Sequence, residues 1–178
     1  MPAMEFELLG WPPDGPTLDL DHERFAYAGK FVMGATGKAV ARAGGDLVGA
    51  VAFSADRTDA DTLRLRYVTV RRDRQGEGIG PRLLRFVADR ADGRGYDRAV
   101  IAVNNPAAYV AAYRAGFGYT GERTGMAELV LAEDAPRTGD RYRAGLEAFL
   151  ERDLPEASRA LVEDRRTGGI PEAVDSPA

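Results

Sequence analysis

Three glycines at alternate positions, Gly76, Gly78 and Gly80, are the residues of this chain with the clearest chemical potential. Glycines remove side chains from the inside of a turn, so that several backbone N–H groups can point at one ligand. A helical pattern follows the turn from Pro81, and the first turn of a helix adds unpaired N–H groups and the positive end of a dipole. The segment therefore predicts an anion site, and a pyrophosphate fits such a site well.

The spacing of these glycines excludes two common phosphate-binding motifs. The dinucleotide fingerprint requires G-x-G-x-x-G, and the third glycine of this chain comes one position too early. The P-loop requires Gly-Lys followed by Ser or Thr, whereas Gly37 and Lys38 are followed by Ala39. A nucleotide-binding regulatory module is therefore disfavoured.

The elements that must position the turn follow from hydrophobic periodicity and from glycine, proline and asparagine. Strands are predicted over residues 38–43, 47–54, 63–70, 99–103 and 126–131, the third of them with one buried face. A Gly-Gly-Asp turn at 44–46 joins the first two as a hairpin. Helices are predicted over residues 21–33, 81–93, 105–115, 140–152 and 155–165, followed by a loose tail. This alternation of strands and helices predicts an α/β fold.

The turn and its lead-in strand resemble the acyl-CoA-binding motif of the GNAT superfamily of N-acyltransferases, [Arg/Gln]-x-x-Gly-x-[Gly/Ala]. The motif residues here are Gln75, Gly78 and Gly80. Downstream, Asn105 opens a helix that ends at a Gly-Phe pair, and a Gly-Glu pair follows at 121–122, in the order typical of the family. The resemblance covers about residues 38–131. It implies a GNAT-like mixed central sheet with helices on both faces, and transfer of an acetyl group from acetyl-CoA to an amine.

The resemblance also implies which residues contact acetyl-CoA. Residues Val68, Thr69 and Val70 would line the acyl arm, and the N–H of Val70, or that of Thr69, would polarise the thioester carbonyl. Asn105 would hydrogen-bond the pantetheine amides besides capping its helix. The residues expected to hold the pyrophosphate through the main chain are Gln75, Gly76, Glu77, Gly78, Ile79 and Gly80.

The residue that protonates the departing thiolate is harder to identify. Many family members use a tyrosine four residues before the Gly-Phe pair, and that position holds Ala112. Tyr113 lies one residue later and is the best candidate for this acid. A shift of one position rotates a helical side chain by about 100°. A packed aromatic residue is an equally weighted interpretation of Tyr113. The absent tyrosine also leaves open a non-catalytic acyl-CoA-binding sensor.

The candidates for the general base are His22, Glu23 and Tyr67, without a preference among them. His22 is the only histidine and the chain has no cysteine, so no metal site is predicted. The acceptor is expected to be a small-molecule or peptide amine whose identity the sequence does not give.

Composition limits the remaining function classes. A net charge of −4 disfavours binding of nucleic acid through a broad basic surface. No apolar run approaches the roughly 18 residues of a membrane span, and the missing cysteines suit a cytoplasmic protein. Residues 1–135 are predicted to form the acyltransferase domain and 136–178 a helical extension. An apolar stripe in that extension predicts either packing within the chain or a homodimer contact; its members are Tyr142, Leu146, Phe149 and Leu150.

Overall fold

The computed structural model describes residues 3–177, in which strands alternate with helices. The strands are β1 (Met4–Gly10), β2 (Gly37–Ala43), β3 (Asp46–Ala55), β4 (Thr62–Val70), β5 (Arg98–Val103), β6 (Gly118–Arg123) and β7 (Leu129–Ala132). The α-helices are α1 (Ile79–Ala91), α2 (Pro106–Arg114), α3 (Gly139–Leu150) and α4 (Glu156–Arg165). This order confirms the predicted α/β class. Strand β1 was not predicted, although its apolar residues at 4, 6 and 8 alternate with glutamates.

The chain forms two compact units, one of residues up to 99 together with 175–177, and one of residues 100–174. In the first unit, four antiparallel strands follow the order β1-β2-β3-β4. Gly44 and Gly45 both have positive φ angles, 59° and 87°, and close the predicted hairpin between β2 and β3. The division into an acyltransferase domain, residues 1–135, and a helical extension, residues 136–178, stays a prediction.

Helix α1 packs on one face of the first unit's strands. A Cβ atom added to Gly49 of β3 would lie 2.9 Å from the Cδ1 atom of Leu83 and 3.0 Å from the Cγ2 atom of Ile79. Gly49 pairs with Val70 of β4, and paired residues of antiparallel strands project on the same face. Val70 therefore faces α1, and the neighbouring Thr69 faces the opposite side of the sheet.

Strand β4 changes faces at a β-bulge, so the prediction of one buried face along it was wrong. Leu65 pairs with Phe53, but Tyr67 pairs with Ala52, which leaves Arg66 as the extra residue. Phe53 and Ala52 are neighbours on β3 and face opposite sides. The bulge thus places Leu65 on the α1 face and Tyr67 on the other face. Period-two alternation alone does not reveal an extra residue.

The helix predicted over 21–33 is replaced by turns and a short 3₁₀ helix at Ala28–Val32. The carbonyl of Asp21 accepts bonds from the N–H groups of Arg24 and Phe25, at 3.0 and 2.9 Å, so the chain starts to coil. Tyr27 then takes a left-handed conformation, φ 60° and ψ 20°, which a right-handed helix cannot continue through. Helix α1 also begins at Ile79, two residues before the predicted Pro81.

The second unit contains three antiparallel strands in the order β5-β7-β6. Strand β6 was not predicted, and the strand predicted over 126–131 begins only at Leu129. Residues 124–127 instead form the hairpin turn, where the Thr124 hydroxyl accepts bonds from the N–H groups of Met126 and Glu128. Two glycines in β6 hide its pattern, since glycine is depleted in strands.

Helices α3 and α4 confirm the helical prediction for the region after residue 136. Tyr142, Leu146 and Phe149 are buried, which supports packing of the apolar stripe within the chain; the homodimer stays a prediction. The tail is not loose as predicted, because its backbone is hydrogen-bonded. The Val174 N–H donates to the Arg114 carbonyl at 2.7 Å, and the Pro171 carbonyl accepts from Arg137 at 3.0 Å.

Candidate functional site

The glycine turn has a backbone that other residues adopt with strain. Gly76 and Gly78 have φ angles of 85° and 79°, in the left-handed region. Gly78 is the N-cap of α1, and no side chain of the described residues caps the helix there. The buried side chain of Ile79 fixes the first helical residue in the core. The turn therefore leads directly into an uncapped helix N-terminus.

The uncapped end leaves backbone donors available. The first helical hydrogen bond runs from the Arg82 N–H to the Gly78 carbonyl at 3.3 Å. The N–H groups of Ile79 and Gly80 precede it and have no acceptor one turn back, and Pro81 has no N–H. These two donors and the positive end of the helix dipole are features that favour an anion; binding of the pyrophosphate by residues 75–80 stays a prediction.

Arginine side chains near the turn are paired with acids, which the sequence did not show. The Nε atom of Arg74 donates to both carboxylate oxygens of Glu77, at 3.0 and 2.8 Å, and lowers the pKa of that carboxyl. Arg71 donates to Asp73 at 2.6 Å and lowers the pKa of the Asp73 carboxyl in the same way. The positive charges of Arg71 and Arg74 are therefore largely compensated by these carboxylates.

The end of β4 lies against the turn, because a Cβ atom added to Gly80 would lie 3.7 Å from the Cγ2 atom of Val70. The N–H of Arg71 bonds to the Val48 carbonyl at 2.8 Å, so these two form a hydrogen-bonded pair. Hydrogen-bonded and non-hydrogen-bonded pairs alternate in antiparallel strands. The N–H of Thr69 is thus directed at β3, whereas those of Val68 and Val70 point away from it. Of the two predicted donors to a thioester carbonyl, the geometry favours Val70.

Asn105 is the N-cap of α2, and its Oδ1 atom accepts a bond from the Ala108 N–H at 2.8 Å. The predicted capping role is confirmed, and contact of Asn105 with pantetheine stays a prediction. The Nδ2 atom of Asn105 donates to the Oδ1 atom of Asn104 at 3.1 Å.

Tyr113 lies inside the tyrosine cluster of the second unit, which consists of Tyr109, Tyr113, Tyr119 and Tyr142. The side chain is 0% exposed, and its hydroxyl accepts a bond from the Tyr119 N–H at 2.9 Å. The ring centroid of Tyr113 is 5.1 Å from that of Tyr109 and 4.6 Å from that of Tyr142. This environment supports the packed-aromatic interpretation, and the acid role stays a prediction.

The three candidate bases occupy different surroundings in the first unit. His22 and Glu23 are exposed in the turns before the 3₁₀ helix. Tyr67 is half-buried on the face of β4 opposite α1, where it packs against the cluster of Phe31, Val40, Ala50 and Ala52. The role of general base stays a prediction for each of them.

Residues 3–177 contain no group of three or more His, Cys, Asp or Glu residues placed to hold a metal ion. Within the same range, none of the helices has the length and apolar character needed to cross a membrane.

The sequence matches the model of the Acetyltransferase (GNAT) family over residues 4–119. No match was found among curated proteins. Among solved structures, the fold resembles a Bacillus subtilis acetyltransferase in complex with CoA, with 17% identity and a TM-score of 0.57 over 75% of this chain and 100% of that chain. It also resembles the IAA acetyltransferase from Bacillus cereus ATCC 14579, with 17% identity and a TM-score of 0.53 over 73% of this chain and 98% of that chain.

An N-acetyltransferase from Staphylococcus aureus Mu50 matches 55% of this chain with 20% identity and a TM-score of 0.43. The match covers 64% of the length of that protein. At these identities the structural likeness concerns the fold. The family model, however, covers well over half of the sequence, including β1–β5, the glycine turn, α1 and α2. The chain therefore belongs to the GNAT acetyltransferase family.

Proposed function

We propose that the protein transfers the acetyl group of acetyl-CoA to the nitrogen of an amine, by direct attack on the thioester. The observation that carries this proposal is the uncapped start of α1 behind two left-handed glycines, inside the segment that matches the family. A Cβ atom added to Gly76 would meet no described atom within 4 Å, so the turn has room for a ligand. Its free N–H groups suit a pyrophosphate.

The end of β4 would serve the reacting thioester. The N–H of Val70 points away from β3 and can donate to the carbonyl oxygen as negative charge develops there. The uncharged amine nitrogen attacks the carbonyl carbon, the C–N bond forms and the C–S bond breaks. The nitrogen loses a proton to a base or to water, and the sulfur departs as a thiolate that takes up a proton.

A dedicated acid is a small part of this chemistry. A thiol has an ordinary pKa of about 8.5, so a thiolate is a good leaving group near neutral pH. Proton donation by a side chain would then add to positioning and carbonyl polarisation without being required for the bond to break. The proposed transfer therefore does not depend on the acid role predicted for Tyr113.

The second candidate function is an acyl-CoA-binding sensor without turnover. Ala112 at the position where the family tyrosine is expected, and the burial of Tyr113, favour it. Both functions require acetyl-CoA binding, and only the enzyme releases CoA when an amine is present. We further propose a cytoplasmic location and a small-molecule or peptide acceptor.

The test combines a melting curve with a thiol-release assay. Acetyl-CoA at 100 times its Kd should stabilise the protein by about 2.7 kcal/mol, which is on the order of 5–10 °C in Tm for this chain length. A panel of small amines and short peptides should then give release of free CoA thiol above the rate without amine. A Tm shift without turnover on any amine would establish the sensor, and no shift at all would contradict both functions.

A further inference from the structure

Arg66 is a partly buried arginine that forms no ion pair with a carboxylate of residues 3–177. It is the extra residue of the bulge in β4, and its Nε atom donates to the Ser54 hydroxyl oxygen at 2.8 Å. The Nη atoms of Arg66 make no hydrogen bond to a described residue. A guanidinium presents five N–H donors in a fixed plane, so the unused donors suit an incoming anion.

The carboxylate nearest to this arginine is occupied by other donors. The Oδ1 atom of Asp56 accepts a bond from the Arg64 Nε atom at 2.8 Å. The Oδ2 atom accepts from the hydroxyl and the N–H of Thr58, at 2.7 and 3.1 Å. The bonds from Thr58 and Arg64 lower the pKa of Asp56 to about 2, so this carboxylate stays ionised and balances Arg64. Arg66 is left without a counter-charge of its own.

A third guanidinium adds to the positive charge at this end of β4. Arg57 is exposed, and it forms no ion pair or hydrogen bond with a described residue. Burial, followed by the charges of Arg64 and Arg57, lowers the pKa of Arg66. Three arginines and one aspartate leave two positive charges uncompensated, and a bound anion would relieve their repulsion. We call this group the arginine cluster; its members are Asp56, Arg57, Arg64 and Arg66.

The arginine cluster lies on the strand that also carries Val70. Residue 66 precedes Val70 by four positions, which is about 13 Å along a strand. Ser54 is the neighbour of Phe53, which faces α1, so the bond to Ser54 directs the Arg66 side chain to the face that α1 does not cover. An extended peptide spans at most about 3.3–3.6 Å per residue, so three to four residues connect the two points.

We infer that Arg66, assisted by Arg57, binds a carboxylate of the acceptor, and that the acceptor is a short peptide with this carboxylate about 10–13 Å from its reacting nitrogen. The inference rests on the proposed function, because it takes Val70 as the site of the thioester. The Nη atoms of Arg66 donate to the carboxylate oxygens. The Ser54 hydroxyl accepts from Nε and keeps its own proton to donate to the same anion.

The experiment compares tetra-alanine with tetra-alanine amide, two acceptors that differ in the charge of the C-terminal group. The wild type should have a kcat/KM about tenfold higher for the acid, because hydrogen bonds to charged groups are the stronger ones. Arg66→Gln should raise the KM for the acid about tenfold, and leave the KM for the amide and the Kd for acetyl-CoA within about twofold of the wild type. Arg66→Lys keeps the charge and should recover part of the loss.

The matched control is Arg42→Gln. Arg42 is a partly exposed arginine of β2 that pairs with Glu7 at 3.5 Å, outside the arginine cluster. The variant should change the KM of neither peptide.

A third peptide identifies the source of the carboxylate. It is tetra-alanine amide with aspartate at the third position, so that its only carboxylate is on a side chain. Use of this peptide as efficiently as of tetra-alanine, with the same dependence on Arg66, supports a site for any carboxylate at this distance. Use no better than that of the neutral amide, with the preference for tetra-alanine kept, supports a site for the peptide C-terminus.

Calorimetry of tetra-alanine binding to the protein–CoA complex separates this inference from the proposed function. If the wild type releases no CoA but binds tetra-alanine, and Arg66→Gln weakens that binding about tenfold, the carboxylate site stands and catalysis fails. Equal use and equal binding of the acid and the amide by the wild type, or no binding of either, would overturn the inference. Equal losses for both peptides in Arg66→Gln would also overturn it, because Arg66 would then only shape the bulge.

Discussion

The glycine turn at 75–80 and the tyrosine cluster of the second unit present polar groups in opposite ways. The turn offers backbone N–H groups at an uncapped helix end, with Gly76 and Glu77 exposed. In the cluster, the Tyr113 hydroxyl accepts a bond from the Tyr119 N–H, and the Tyr109 hydroxyl donates to the Tyr142 carbonyl at 2.9 Å. The helix end at the turn has no side-chain cap, whereas these two hydroxyls have internal partners.

This difference indicates where the function of a site depends on the identity of a residue. A backbone site needs glycine where φ is positive, so its substitution should abolish binding directly. Removal of a buried hydroxyl that accepts a bond from a backbone N–H should lower stability more than it lowers the reaction rate. Burial raises the pKa of Tyr109 and of Tyr142, so the environment of the cluster disfavours charge and suits packing.

The largest effect is expected from Gly78→Leu. The left-handed φ of 79° costs a leucine about 1–2 kcal/mol, and the new side chain lies at the start of the anion site. We expect the Kd for acetyl-CoA, measured by calorimetry, to rise at least 100-fold. Gly95→Leu is the matched control, since Gly95 has a φ of 90° and its Cβ would meet no described atom within 4 Å. It should lose the stability that the left-handed backbone costs a leucine and keep the wild-type Kd.

Acetyl-CoA binding by Gly78→Leu within threefold of the wild type would contradict the backbone site. Equal loss of binding in Gly95→Leu would show that general destabilisation, and not the turn, causes the effect.

The same difference explains what the sequence could predict. Gly76 and Gly78 are necessary for the backbone that they adopt, so their spacing alone was enough to predict the turn before α1. Most strands and helices followed from periodicity because their apolar faces are buried. The bulge at Arg66, the left-handed Tyr27 and the partner of the Tyr113 hydroxyl depend on contacts distant in sequence, and no local pattern contains them.

Tyr113→Phe should have an intermediate effect, and it separates packing from acid catalysis. Loss of the hydroxyl leaves the buried Tyr119 N–H without its acceptor, which costs about 1–2 kcal/mol, or roughly 3–6 °C in Tm. We expect the turnover rate to change less than threefold. Tyr109→Phe is the control. It removes a donor, and the groups that lose a bond are carbonyl acceptors, those of Tyr142 and Arg141, so it should cost less stability.

The opposite result for Tyr113→Phe would establish Tyr113 as the general acid. The turnover rate would then fall by two orders of magnitude or more.

The smallest effect is expected from Glu77→Gln, which tests how far side-chain charge contributes to a backbone site. The Glu77 carboxylate places a negative charge on the turn and holds Arg74 at 2.8 Å. Its pKa is lowered by the Arg74 hydrogen bond, so it stays ionised throughout neutral pH, and the effect should be constant from about pH 6 to 8. The pair is exposed, so the Kd for acetyl-CoA should fall only about twofold, and less at high salt.

Asp73→Asn is the control for Glu77→Gln, because it frees Arg71 in the same way from a residue outside the turn. It should change the Kd less than Glu77→Gln does. Weaker binding of acetyl-CoA by Glu77→Gln would mean that the carboxylate orients Arg74 onto the ligand. Side-chain charge would then contribute to acetyl-CoA binding alongside the backbone N–H groups of the turn. The turn and the tyrosine cluster would then differ in exposure, and no longer in the use of backbone or side-chain groups.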